Sequence, residues 1–111
     1  MWTSKVGATA KPLLLSLTNN GVLMDFADIT NPVFRMRLRS SETGWVEFEV
    51  TAYDDTENVP ARYNAQVVFG DWSEVTEGVY IGEVDATING DDVSFPDDGY
   101  ITLKFLGGVN Q

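Results

Sequence analysis

Residues 75–106, VTEGVYIGEVDATINGDDVSFPDDGYITLKFL, read as strand, tight turn, strand, Pro-Asp-Asp-Gly turn and strand. Asn89-Gly90 between two alternating runs is the strongest short hairpin signal, because a two-residue type I′ turn needs positive φ at both central positions. Such a loop fixes the register, setting Ala86 opposite Val93 and Val84 opposite Phe95. Pro96-Asp97-Asp98-Gly99 turns the chain into 100–106, with Ile101, Leu103 and Phe105 inward. No group of side chains in this stretch forms a catalytic constellation, so it decides the fold and not the activity.

The segments upstream follow the same period. Residues 33–39 alternate strictly, with Phe34, Met36 and Leu38 on one face and Arg35, Arg37 and Arg39 on the other. Residues 45–51 place Val46, Phe48 and Val50 inward and Trp45, Glu47 and Glu49 outward. Folding these two runs about Glu42 sets Arg37 opposite Glu47, Arg35 opposite Glu49, Phe34 against Val50, Met36 against Phe48 and Leu38 against Val46. Residues 13–17 alternate as a strand, Asn19-Asn20-Gly21 is a turn, and 22–28 read as a short apolar strand. Residues 54–62 are an acidic loop, and 63–69 return to strand.

About seven short strands at roughly ten-residue spacing, with no helical period, argue for an all-β chain. The simplest architecture is an antiparallel, immunoglobulin-like β-sandwich over 12–106, with an extended N-terminal arm at 1–11 and a C-terminal tail at 107–111. Gly78-Val79-Tyr80 fits that fold, in which a Tyr at the start of the sixth strand bonds its hydroxyl back to a corner. Gly82 stands where antibody domains place their second Cys. Tyr80 also fits as a plain core aromatic.

The chain has 111 residues, enough for one core, and neither Cys nor His. That removes thiolate nucleophiles, imidazole bases and the usual zinc ligands. The formal charge of −10 disfavours phosphate backbones and anionic membrane surfaces, so neither nucleic acid nor membrane is an expected partner. No apolar run has the length of a membrane helix or the form of a signal peptide, so the expected place is inside a cell or a particle assembled there.

The acidic doublets Asp54-Asp55, Asp91-Asp92 and Asp97-Asp98 fall in turns, where Asp bonds nearby backbone amides. Asp85 to Gly90 resembles the start of an EF-hand loop but fails at Thr87 and at Pro96. A looser calcium site between acidic turns is the residual alternative. No catalytic, cofactor-binding or metal-ligating residue is assigned, and no cofactor is expected. The candidate partner-binding residues are Trp2, Val6, Arg39, Trp45 and Trp72. Arg39 has no acidic residue opposite it. Trp45 faces outward and Trp72 lies in a loop, each with capping an end of the sandwich as its alternative role, and Trp2 and Val6 lie in the arm, where they would dock on a neighbour.

The order of these elements resembles the immunoglobulin-like module at the N-terminus of tailed-phage baseplate upper proteins (the BppU type) and its short stand-alone relatives in phage structural gene clusters. The resemblance covers about residues 12–106. It rests on the L-x-L run at 13–17, VFRMRLR at 33–39, GVYIGEV at 78–84 and FPDDGYITL at 95–103, the last two being the specific ones. The stretch GDWSEVTEG before Val79 departs from the family pattern. The resemblance implies a non-enzymatic virion structural protein, a decoration, cement or connector component packing on capsid or tail proteins, with a homo-oligomer within the particle as a further possibility. The alternatives are a carbohydrate- or host-surface-binding module using Trp45 or Trp72 as a platform, and a baseplate adaptor. On this reading, deletion of residues 1–10 leaves a folded domain that no longer enters particles.

Overall fold

The structure is a computed structural model, and it describes residues 2–7, 12–69, 72–96 and 99–107. The strands are β1 (Trp2–Lys5), β2 (Leu13–Leu15), β3 (Thr18–Asn19), β4 (Val22–Leu23), β5 (Thr30–Leu38), β6 (Val46–Ala52), β7 (Ala65–Val67), β8 (Gly78–Ile88), β9 (Asp91–Phe95) and β10 (Ile101–Leu106). One 3-10 turn, Phe26–Asp28, joins β4 to β5.

The chain is all-β, with a mixed and nearly closed sheet in the order β1-β10-β8-β5-β6-β7-β2. Two strands divide their length between partners. β6 pairs with β5 through Val46 to Glu49 and with β7 through Val50 to Ala52. β8 pairs with β10 through its first half and with β9 through its second, while β5 runs along its other edge. Because each strand twists and changes neighbour midway, one sheet wraps around the inward side chains.

The N-terminal segment departs from a free arm. β1 runs parallel to β10, with Trp2 beside Leu103 and Ser4 beside Phe105. The N–H of Val6 extends this ladder by donating to the Leu106 carbonyl at 3.1 Å. Trp2 and Ser4 point inward, and the Trp2 ring lies 5.4 Å from Phe69 and 5.6 Å from Phe105. An arm of Trp, Thr, Ser and Lys shows no apolar period, yet one aromatic and one parallel ladder tie it to the far end of the chain. The sheet is therefore mixed and not purely antiparallel. Residues 8–11 of the arm and 108–111 of the tail lie outside the described residues.

Phe69 is the hub of the core. Its ring meets Trp2, Phe34, Phe48, Trp72 and Phe105 at centroid distances of 4.9–6.4 Å. Most of these contacts are edge-to-face, the geometry the ring quadrupole favours. Tyr80 packs against Phe105 and is 2 % exposed, and its hydroxyl accepts from the N–H of Thr76 at 3.1 Å. The corner bond that Gly78-Val79-Tyr80 suggested is present.

Two local readings change. The β8–β9 hairpin has the expected register, with Asn89 and Gly90 both at positive φ. In the β5–β6 hairpin, however, Arg35 faces Glu47, Phe34 faces Phe48 and Met36 faces Val46, a slip of two from the expected pairs. Strand side chains alternate with period two, so a slip of two keeps both faces. Residues 22–28 split into β4 and the 3-10 turn, where Asp25 caps the turn by accepting from the Ala27 N–H.

Asn64 holds the β2–β4 corner. Its Oδ1 accepts from the Leu17 N–H at 2.8 Å, and its Nδ2 donates to the carbonyls of Leu17 and Met24 at 2.9 and 2.8 Å. The side chain thereby replaces a strand neighbour for the Leu17 N–H and the Met24 carbonyl, while the Leu17 carbonyl also accepts from the Met24 N–H at 3.0 Å.

Candidate functional site

Chemistry, if the chain had any, would reside in its polar clusters. On the outer face, Arg35 of β5 lies between Glu47 of β6 and Glu83 of β8 by register. Its ion pair is nevertheless with Asp85, at 3.2 Å, and Ser94 donates to the same carboxylate at 2.9 Å. Arg37 does not pair with Glu47 as expected. Its guanidinium donates to the carbonyls of Leu38 and Ser41 and so closes the 39–45 loop. Burial, reinforced by the nearby Asp85 charge, raises the Glu83 carboxyl above its ordinary value against the counteracting Arg35.

Trp45 lies on this face with Arg35 and Arg37 over its ring, at 4.8 and 5.2 Å from the centroid, and Tyr100 at 6.3 Å. Guanidinium groups at this distance are held by the ring quadrupole. Trp45 is thus a half-buried clasp for two arginines and not an unaccompanied platform. Trp72 caps the core, at 5.6 Å from Phe69 and 5.7 Å from Phe105, and its buried indole N–H has no partner among the described residues. Trp2 and Val6 pack on the core. Arg39 is exposed, and its backbone N–H donates to the Val79 carbonyl at 2.9 Å. The five candidates are therefore not one site: three support the core, one clasps arginines, and Arg39 stands on the surface.

The acidic doublets divide similarly. Asp55 is 8 % exposed and organises its whole loop. Its carboxylate accepts from the backbone N–H groups of Glu57, Asn58, Arg62 and Tyr63 and from the Asn58 side-chain amide. Burial opposes the charge, but the Arg62 N–H, the Asn58 amide and the other donors outweigh it and hold the carboxyl below its ordinary value. Asp92 accepts from the Thr87 hydroxyl at 3.4 Å. Asp97-Asp98 lies outside the described residues. No group of three or more Asp or Glu suited to a metal ion occurs among the described residues.

What these clusters leave open is an edge. β2 ends the sheet path, bonded to β7 on one side and to no strand on the other among the described residues. Beside it runs a groove of about 360 Å³, with residues 13–18 on one wall and Phe95, Pro96 and Ile101 on the other. A second hollow shares Thr18 and Phe95 with it and continues to Asn89 and Asp91. Sequence reasoning placed Leu13 and Leu15 on one face of a strand, Phe95 opposite Val84 and Ile101 inward, with no groove among them. The signal available was compositional: residues 12–24 contain no charged side chain in a chain of net charge −10.

Comparison with protein-family models, with curated proteins and with solved structures gave no match for this chain.

Proposed function

We propose that the chain is a non-enzymatic structural component of a bacteriophage particle, an immunoglobulin-like β-module that packs on capsid or tail proteins as a decoration, cement or connector element. The carrying observation is the contrast between its bonded polar side chains and its open sheet edge. The carboxylates of Asp85 and Asp55, the Ser94 hydroxyl and the Asn64 amide are committed to bonds within the fold, whereas the β2 edge has no strand on its outer side among the described residues. Groups that are already satisfied are poor reagents; an unpaired backbone edge is an association surface. The motif resemblance over 12–106 supplies the class of partner, and the specific segments GVYIGEV and FPDDGYITL carry the Tyr80 corner and the Phe95 wall of the groove.

Quantitative mass spectrometry of density-purified particles from the source that encodes the chain tests this reading. A fixed stoichiometry to the major structural protein is expected. A chain left wholly in the particle-free fraction overturns it.

A further inference from the structure

The edge strands differ in how they are guarded. β1 carries Lys5, and β9 carries Asp91 and Asp92, all exposed. Natural sheets place charges on their edges because an uncharged edge templates pairing with another chain. β2 has no such guard: Leu13–Leu15 is uncharged, and neither Ser16 nor Thr18 adds a charge. Its leucines line the apolar groove described above, which Phe95 of β9 walls on the other side and whose far end leads past Thr18 and Phe95 to Asp91.

We propose that β2 is a strand-addition site that accepts an extended segment of a partner protein bearing apolar side chains and a basic residue at the Asp91 end. Backbone hydrogen bonds to the open edge would supply affinity, and the groove would take alternate side chains of the incoming strand. Charge selects the occupant. The groove walls are neutral, its end is acidic and the whole chain carries −10, so an acidic strand is repelled and a basic one is steered in. A second copy of this chain would bring the same negative charge against itself. The inference rests on the reading of the chain as an association module and names where and with what it associates.

The test is an NMR titration of the full ¹⁵N-labelled chain with two synthetic peptides, an alternating Val-Thr strand with Lys at both ends and the same strand with Glu at both ends. The Lys peptide should shift the amides of 13–18, Phe95 and Ile101 saturably, and bind about tenfold more tightly than the Glu peptide at low salt. Asp91→Lys should abolish that preference, and Leu14→Lys should abolish binding while the spectrum stays dispersed. If Leu14→Lys does not fold, the exposed Asp91→Lys decides alone. Absent or scattered shifts overturn the proposal, as do equal affinities for the two peptides. Concentration-dependent shifts of 13–18 in the chain alone also overturn it, by assigning the edge to a second copy. Failure here with a fixed copy number in particles condemns only the edge; peptide binding by a chain absent from particles condemns only the virion reading.

Discussion

The ring of Phe34 lies against the backbone of Gly82, so closely that a Cβ on Gly82 would stand 2.5 Å from Phe34 Cζ and 2.9 Å from Cε1. Gly82 is in the middle of β8, where a glycine ordinarily weakens a strand. Here its missing side chain makes room for a fully buried aromatic. Gly82→Ala should therefore destabilise the fold by about 1–3 kcal/mol, the usual cost of overpacking. Urea denaturation measures it. A Phe34→Leu, Gly82→Ala double variant should show positive coupling, because the smaller side chain relieves the clash.

β1 is part of the core. Trp2 touches both Phe69 and Phe105, so Trp2→Ala should cost about 2–3 kcal/mol, at or below the low end for a fully buried aromatic. In a domain of this size that corresponds to a fall in Tm of roughly 10 °C. Deletion of residues 1–7 should cost more, since the β10 ladder is lost with the ring. The folded, arm-less domain expected from the sequence would show no such fall.

Asn64 offers an isosteric test. In Asn64→Asp the Oδ1 acceptor survives, but the two donors to Leu17 and Met24 become a second carboxylate oxygen facing carbonyls. Stability at neutral pH should drop by roughly 1–3 kcal/mol, from the Met24 carbonyl left unmet and a carboxylate oxygen set against the Leu17 carbonyl, which keeps the Met24 N–H. It should recover in part in acid, where the protonated carboxyl can donate once. Asn64→Ala should be equally destabilised but without the pH dependence. Urea midpoints at two pH values distinguish them.

Two carboxylates should impose opposite pH dependences on stability. The Asp55 carboxyl is depressed in the folded state, so its contribution is complete above the unfolded-state value and is lost as pH falls through the folded one. Glu83 is raised, so its contribution is complete below the unfolded-state value and is lost as pH rises through the folded one. Asp55→Asn should lower Tm most at neutral pH and progressively less in acid. Glu83→Gln should remove the loss on the alkaline side of its own titration. Thermal melts across the acid range check both.

Much of the sheet was legible, for reasons that particular residues make plain. Asn89-Gly90 leaves only one loop length, so the β8–β9 register followed to the residue. The β5–β6 loop has no such signature. Its closure depends on Arg37 reaching the Leu38 and Ser41 carbonyls, and the strict alternation of both strands is indifferent to a slip of two. The Tyr80 corner was visible because its partner, Thr76, is four residues away. The β1–β10 ladder was not, since it joins the two ends of the chain and Trp2 has no local apolar companion. The groove was hidden for a related reason: alternation marks Leu13, Leu15, Phe95 and Ile101 as inward-facing but cannot indicate that the sheet stops between them.

Hydrogen exchange of residues 13–18, followed by mass spectrometry in the free chain and in purified particles, bears most directly on whether this domain works by lending an edge. Amides of this stretch that exchange readily in isolation should become protected in the particle, while those of β8 and β10 are slow in both. Equal exchange in the two states, or new protection confined to a different face, would contradict it.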